Sequence, residues 1–239
     1  MSQRTGTLYG IGVGPGDPDL ITVKAVKILK QVSHIFAAAS SKNSYSIALN
    51  IVRCHLNGAG IENLAFPMTK DPEALAQAWE RNARRVLEVL EEGRDAAFVT
   101  LGDPLTYSTF GYLLKTLKRH RPDVPVITIP GVTSYSAAAA LSQMPLSEGE
   151  ESFYVVSGAL GATRLKEALA RTENVVILKT YRHFPEIYQT LEELGLLDCA
   201  TFISRVGLEG ETVVRNLREL QGQQVPYLSM IIVKQGGRR

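Results

Sequence analysis

Cysteine is scarce in this sequence, and its scarcity limits the chemistry available to the protein. The 239 residues include two cysteines, Cys54 and Cys199, which stand far apart along the chain. Two separated cysteines support neither a disulfide framework nor a zinc site. The four histidines do not cluster, and none lies in a motif typical of a hydrolase or metalloprotease. The sequence therefore predicts no protein-bound metal and no nucleophile–base pair.

Long apolar runs and a strong excess of one charge are also absent. No apolar run approaches the roughly 18 residues of a transmembrane helix, and the N-terminal MSQRTGTLYG lacks the apolar stretch of a signal peptide. The net charge is +2, and the basic residues are spread along the chain. Binding to a nucleic-acid backbone requires a concentrated basic surface. We therefore expect a cytoplasmic protein that binds neither membranes nor nucleic acids.

Predicted strands and helices alternate along most of the chain. Apolar runs at 34–39 and 96–101 are each followed by a helical segment, a pattern typical of a mainly parallel sheet. The segment 144–151, MPLSEGEE, has no periodicity and is the best linker candidate. We predict two α/β domains, an N-terminal one at 1–143 with a mainly parallel sheet and a C-terminal one at 152–239 with a mixed sheet.

A glycine-rich loop follows the first predicted strand. Residues 7–16, TLYGIGVGPG, alternate apolar residues with glycine before a helical segment. The loop fails the dinucleotide-binding fingerprint, because Pro15 and Asp17 stand where glycine or alanine is needed. Asp17 and Asp19 would also repel a pyrophosphate at the helix start. NAD or FAD binding is therefore disfavoured, and a tight turn for close strand–helix packing is an alternative.

The most informative stretch is LGDPLTY at 101–107, which comes directly after an apolar run. A turn there places backbone amides and the side chains of Asp103, Thr106 and Tyr107 at the end of a buried strand. Open α/β sheets bind ligands at this position. The Asp103 carboxylate is a candidate acceptor for a ribose hydroxyl, although it could serve the turn alone.

A second loop, PGVTSYSAAAA from Pro130, follows another predicted strand. Its hydroxyls, Thr133 and Ser134, would lie on the same side of the first sheet as LGDPLTY if the strands are parallel. Either hydroxyl could instead cap the helix that follows. Among the histidines, His183 is the one well placed for a site, in the loop after the strand NVVILKT.

Three blocks of this sequence together resemble the tetrapyrrole methyltransferase family. They are YGIGVGPGDPDLIT at 9–22, VTLGDPLTYSTFGYL at 99–113 and IPGVTSYSAAAA at 129–140. The resemblance runs from residue 7 to about 234, nearly the whole chain. Within the family, LGDPLTYSTF, SRVGLEGE at 204–211 and the ending YLSMIIVK are most similar to enzymes that methylate precorrin-2 or cobalt-factor II at C20 in cobalamin biosynthesis.

The resemblance implies a homodimer of two-domain α/β subunits with the active-site cleft between the domains. S-adenosylmethionine would be the methyl donor and a reduced tetrapyrrole the acceptor. The donor-binding residues that it implies are Leu101, Gly102, Asp103, Thr106, Thr133, Ser134, Lys179, Arg205 and Leu228. The tetrapyrrole would contact Gly14, Pro15, Asp17 and Arg182, and Lys42 is a further candidate for its carboxylates.

The chain departs from the family pattern at one point. Relatives that make the first C-methylations carry an acid after the second strand, whereas this chain has Ala37 and Ala38 there. No general base is therefore assigned, and the expected mechanism is direct methyl transfer between donor and acceptor held in line. The alternatives are a methyltransferase of the same fold acting at another ring position or on a diphthamide precursor, and a non-catalytic porphyrinoid-binding protein.

Overall fold

The computed structural model describes residues 4–40, 46–160 and 162–236. Its first part contains a five-stranded sheet in the order β3, β2, β4, β1, β5, and every neighbouring pair is parallel. The strands are β1 (Leu8–Gly12), β2 (His34–Ser40), β3 (Gly60–Phe66), β4 (Ala96–Thr100) and β5 (Val126–Ile129). The predicted parallel sheet is confirmed, and the carboxyl ends of its strands lie at one edge.

Helices cover both faces of this sheet. They are α1 (Val23–Leu29), α2 (Ile47–Val52), α3 (Pro72–Glu91) and α4 (Phe110–His120). Helices α1 and α2 pack with Ile35 and Val99, whereas α3 and α4 pack with Phe36 and Phe98. The two cores alternate along each strand because successive strand residues point to opposite faces. Apolar residues on both faces explain why these strands form near-continuous hydrophobic runs.

The second sheet has the strand order β6, β7, β10, β8, β9. Its strands are β6 (Phe153–Ser157), β7 (Asn174–Leu178), β8 (Ala200–Ser204), β9 (Thr212–Val214) and β10 (Ser229–Lys234). Strands β6 and β7 are parallel, while β10 is antiparallel to both β7 and β8. The predicted mixed sheet is confirmed. The ends of β7 and β8 therefore lie at the same edge as the start of β10.

Three helices belong to this second part: α5 (Ser134–Ser142), α6 (Ala162–Arg171) and α7 (Phe184–Glu193). Helices α6 and α7 pack on one face of the sheet in a single apolar core with Ile177 and Ile231. Among the residues that the structure describes, none of the helices is both long and apolar enough to cross a membrane.

The chain divides into two compact units, Met1–Thr133 and Ser134–Arg239. This division precedes the linker predicted at 144–151, and α5 falls in the second unit. Two contacts within that unit hold the helix: Arg215 Nη2 donates to the Ser142 carbonyl over 2.8 Å, and the rings of Tyr135 and Phe153 lie 6.4 Å apart. The segment 144–151 is also tied to this unit, since Lys234 Nζ donates to the Pro145 carbonyl over 3.2 Å.

Gly10 lies where β1 passes the buried ring of Phe110. A Cβ atom at Gly10 would stand 2.0 Å from Phe110 Cζ, and that ring packs against Phe98 at 5.9 Å. We expect Gly10→Ala to lower the free energy of unfolding in urea by about 1–3 kcal/mol through overpacking. Gly111→Ala is the control, because nothing lies within 4 Å of its Cβ position in α4. Equal stability of the two variants would contradict this packing argument.

Candidate functional site

The loops after β1 and β4 diverge at the carboxyl edge of the first sheet. The two strands are neighbours, yet α1 follows β1 onto one face and α4 follows β4 onto the other. This arrangement makes the β1–β4 boundary a topological switch point. Ligands of open α/β sheets bind in the crevice that such diverging loops form. The glycine-rich loop and LGDPLTY therefore lie together at this edge of the sheet.

Three glycines bring the loop backbones into direct contact there. A Cβ atom on Gly131 would lie 2.2 Å from the Gly102 carbonyl oxygen, and one on Gly12 would lie 2.5 Å from the same oxygen. Gly14 and Gly102 also pair through their backbones: the Gly102 amide donates to the Gly14 carbonyl over 2.7 Å. A side chain at Gly12 or Gly131 would force the loops apart, whereas Gly102 is favoured by its left-handed φ of +70°. Backbone packing therefore requires Gly12 and Gly131.

The Asp103 carboxylate links two of these loops. Its Oδ1 accepts hydrogen bonds from the Leu105 amide at 2.9 Å and the Thr106 hydroxyl at 3.2 Å, within its own turn. Its Oδ2 accepts the Gly131 amide at 3.2 Å, from the loop after β5. The turn role that the sequence left open is therefore present, and Asp103 also fixes the loop that carries Thr133.

The remaining donor residues predicted in this unit lie around the same edge. Leu101 is partly buried against the core of α1 and α2, and Thr106 is held by Asp103. Helix α5 begins at Ser134, so Thr133 occupies the position before it, as the capping alternative requires. The sequence missed Ser108, whose hydroxyl lies 2.9 Å from that of Thr100 and accepts the Phe110 amide at 3.1 Å. Ser108 thereby accepts the first amide of α4, from a position one residue before the N-cap Thr109.

The residues predicted to meet the tetrapyrrole are unequally exposed. Gly14 and Pro15 are buried, and a Cβ atom on Gly14 would lie 3.2 Å from the Leu20 carbonyl oxygen. Asp17 is partly exposed and accepts the Asp19 amide at 2.9 Å, at the start of a short 3-10 turn. The burial of Gly14 and Pro15 supports the packing alternative for this loop. Lys42 lies outside the described residues.

In the second unit, three predicted donor residues have left-handed backbones. The φ angles are +59° for Lys179, +54° for Arg205 and +63° for Leu228. Lys179 directly follows β7, Arg205 directly follows β8 and Leu228 directly precedes β10. All three therefore lie at one edge of the second sheet, and the Arg205 amide donates to the Leu228 carbonyl over 3.0 Å.

These left-handed backbones are energetically costly. For a residue with a side chain the conformation costs roughly 1–2 kcal/mol, and glycine avoids most of that cost. Such strain persists where the surrounding structure enforces it, and it concentrates at ligand-binding sites. Its occurrence at all three positions supports their assignment to a site. The sequence carried no signal for this strain, because none of the three is the glycine or asparagine that usually marks it.

The loop after β8, residues 205–211, fixes the side chain of its first residue. Arg205 Nε donates to the Glu209 carbonyl over 2.5 Å, and the Gly207 amide donates to Glu211 Oε2 over 2.6 Å. Both hydrogen bonds join residues of the same loop, so the side chains of Arg205 and Glu211 hold it closed. The motif SRVGLEGE thus encodes a loop that is held by its own hydrogen bonds at the edge where Arg205 lies.

Arg182 lies in a cluster with two tyrosines that the sequence did not single out. Its Nε donates to the Tyr181 hydroxyl over 2.6 Å, and the Tyr181 ring meets that of Tyr227 edge to face at 5.1 Å. Partial burial, followed by the neighbouring Tyr181, raises the pKa of Tyr227 above the ordinary range of a tyrosine, although Arg182 opposes the shift. The Tyr227 phenol is therefore neutral near pH 7. The nearby His183 is half exposed and lies 3.7 Å from Glu186.

No acid occupies the place where relatives were expected to carry one. Ala37 and Ala38 lie within β2, which extends to Ser40, and not after that strand as the resemblance implied; Ala37 is fully buried. Within residues 4–40, 46–160 and 162–236, no three acids, histidines or cysteines come together to hold a metal ion. The edge of the first sheet thus offers backbone amides, hydroxyls and the Asp103 carboxylate, and the edge of the second sheet offers Lys179, Arg205 and Leu228.

Comparison with known proteins identifies similar sequences over almost the whole chain. The family model for Tetrapyrrole (Corrin/Porphyrin) Methylases matches residues 7–221. A cobalt-precorrin-2 C(20)-methyltransferase of Salmonella typhimurium is 36% identical over 95% of this chain and 96% of its own length. A precorrin-2 C(20)-methyltransferase of a Sinorhizobium species is 33% identical, with 95% of both chains covered.

A solved structure shows the same architecture. Uroporphyrin-III C-methyl transferase of Thermus thermophilus, in complex with S-adenyl homocysteine, matches with a TM-score of 0.67 and 25% identity. The match covers 96% of this chain and 97% of that one. The two α/β parts described above therefore follow a known arrangement of strands and helices.

The loops of the first unit provide a direct test of the Asp103 link. Asp103→Ala removes the acceptor of the Gly131 amide, and we expect hydrogen exchange of the 130–133 segment to accelerate about tenfold or more. Thr106→Val is the control, because it removes one hydroxyl donor and leaves the link to Gly131. Mass spectrometry of exchanged peptides measures both. Unchanged exchange at 130–133 in Asp103→Ala would show that the carboxylate does not hold this loop.

Proposed function

Because the chain belongs to the tetrapyrrole (corrin/porphyrin) methylase family, we propose that it transfers a methyl group from S-adenosylmethionine to C20 of precorrin-2 or its cobalt complex. The observation that carries this proposal is the full-length similarity to relatives named for that reaction. The relatives include both the cobalt-containing and the metal-free substrate in their names, so the proposal covers both.

The site residues suit a cationic donor better than a dinucleotide. A pyrophosphate would need the amides at the start of the turn after the glycine loop, where the Asp17 carboxylate already accepts an amide. Asp103 adds a second acid at the switch point. S-adenosylmethionine has no phosphate and carries a positive sulfonium, so these carboxylates need not repel it. The glycine contacts also keep the edge free of bulky side chains.

The protein's contribution to the reaction is placement. Bound S-adenosylmethionine supplies a methyl group already activated by its sulfonium. The Asp103 turn and the left-handed residues Lys179, Arg205 and Leu228 present fixed backbone groups to orient the donor. Holding two reactants in line can account for several kcal/mol of a barrier, about 7–11 in the most favourable cases. Arg182 would pair with carboxylates of the acceptor, and no side chain is assigned as base.

The homodimer and the cytoplasmic location stay predictions, as do the individual contacts of Gly14, Pro15 and Asp17 with the tetrapyrrole. Methylation at another ring position, action on a diphthamide precursor and binding without catalysis are the competing outcomes. Each of these three alternatives predicts a different product, or no product, when methyl transfer from the donor is assayed.

The position of the transferred methyl group tests the proposal. Purified protein is incubated with donor carrying a ¹³C-methyl group and with precorrin-2 or cobalt-factor II. We expect label at C20 with at least one of them, because the similarity is to enzymes of that regiochemistry. Carbon NMR of the product locates the methyl. Label at another carbon would exclude C20 specificity, and donor binding without transfer would favour the binding-protein alternative.

Donor affinity tests the role of Asp103 in this function. Asp103→Ala frees the loop that carries Thr133, and we expect the dissociation constant for S-adenosylhomocysteine to rise about tenfold in calorimetry. Asp71→Ala is a matched control, since Asp71 Oδ1 also accepts a backbone amide, that of Glu73 at 3.0 Å, but at the start of α3. The control should bind as wild type does. Unchanged affinity in Asp103→Ala would remove this residue from the site.

A further inference from the structure

Two buried hydroxyls meet directly behind the left-handed residues of the second unit. Thr180 Oγ1 and Ser229 Oγ lie 2.8 Å apart, and the two residues are 0% and 2% exposed. Thr180 follows Lys179 in sequence, and Ser229 follows Leu228. Each hydroxyl therefore belongs to the residue next to a predicted donor contact, and it points into the protein interior.

The hydroxyl pair closes the edge of the sheet where strand pairing ends. Strands β7 and β10 are paired up to Leu178 and Met230, and the hydroxyls continue this link two residues beyond Leu178 and one residue before Met230. On the other side of β10, the Arg205 amide donates to the Leu228 carbonyl over 3.0 Å. The backbone hydrogen bond thus joins Arg205 to Leu228 directly, and the side-chain hydrogen bond joins the residues that follow Lys179 and Leu228.

Loss of the Thr180–Ser229 hydrogen bond should disturb the neighbouring backbone more than loss of a hydrogen bond on the surface would. Left-handed residues with side chains revert to ordinary conformations unless neighbouring groups hold them. When one member of a buried hydroxyl pair is removed, the other is left without its partner in a poorly solvated place, and that loss is greater than the net value of the bond. Loosening either strand end would let Lys179 or Leu228 relax.

We propose that the Thr180–Ser229 hydroxyl pair is a positioning element of the donor site, which holds Lys179 and Leu228 in their left-handed conformations. The inference rests on the proposed function, since it assigns the pair to the binding of the methyl donor. Neither residue touches the donor in this proposal. Their effect passes through the backbone of the residue that precedes each.

The test separates donor binding from folding. In Thr180→Val and Ser229→Ala, we expect the dissociation constant for S-adenosylhomocysteine and the KM for S-adenosylmethionine to rise about five- to twentyfold. The KM for the tetrapyrrole and kcat at saturating donor should change by less than about twofold. The double variant should be little worse than either single one, because both remove the same bond. Thr180→Ser keeps the hydroxyl and should bind the donor as wild type does.

Thr190 offers a matched control in the same unit. It is 2% exposed, and its hydroxyl donates to the Glu186 carbonyl over 2.8 Å inside α7, away from the sheet edge. Thr190→Val therefore loses an equally buried hydroxyl and should lower the unfolding midpoint while leaving donor affinity unchanged. If Thr180 has only a structural role, Thr180→Val will likewise lower the unfolding midpoint and leave donor affinity unchanged.

The outcomes separate the two proposals. If wild-type protein binds the donor and the Thr180 and Ser229 variants bind it equally well, the positioning role is wrong and the proposed function stands. If wild type has no affinity for S-adenosylmethionine or S-adenosylhomocysteine, the proposed function itself fails. Should Thr180→Val not fold, Ser229→Ala decides the matter, since it removes the same bond by deleting only one oxygen.

Discussion

The contact between three loop backbones at the carboxyl edge of the first sheet is the constraint on which the site depends. Gly12 and Gly131 come so close to the Gly102 carbonyl that neither can carry a side chain, and Gly102 itself has a left-handed backbone. Parallel pairing of β1 with β4 and β5 brings these loops to one edge, and the glycines let them touch. Asp103 then fixes their separation by accepting the Gly131 amide. Strand order, glycine placement and one carboxylate thus produce a single rigid edge.

The second unit reaches a rigid edge by different means. Its sheet is mixed, so strand ends and a strand start meet at the edge where Lys179, Arg205 and Leu228 lie. The backbones of these three residues are strained, and hydrogen bonds within the unit keep them in this conformation. The loop at 205–211 closes on itself through Arg205 and Glu211. Side chains and their partners hold this edge, whereas the first edge depends on close-packed glycines together with the single carboxylate of Asp103.

How far the sequence predicted this arrangement depends on the range of each interaction. The α/β class, the parallel and mixed sheets and the position of LGDPLTY followed from local periodicity and turn chemistry, which act over a few residues. The link from Asp103 to Gly131 and the pair of Thr180 with Ser229 join distant segments, and a single sequence has no signal for them. The left-handed φ angles could not be predicted for another reason, because Lys, Arg and Leu rarely adopt them. The resemblance named these three residues without explaining their geometry.

The choice of residues at the two edges supports separate roles for them. Glycine would remove most of the strain at positions 179, 205 and 228, as it does at Gly102, whose φ is +70°. The chain instead has a lysine, an arginine and a leucine there, so the side chains, or the stiffness that they confer, must offset roughly 1–2 kcal/mol of strain each. A flexible glycine would also lose more entropy when a ligand fixed it. The first edge is therefore suited to close backbone approach, and the second to holding a few side chains and carbonyls in place before the ligand arrives. Such preorganisation is what a methyltransferase needs when its donor is already activated.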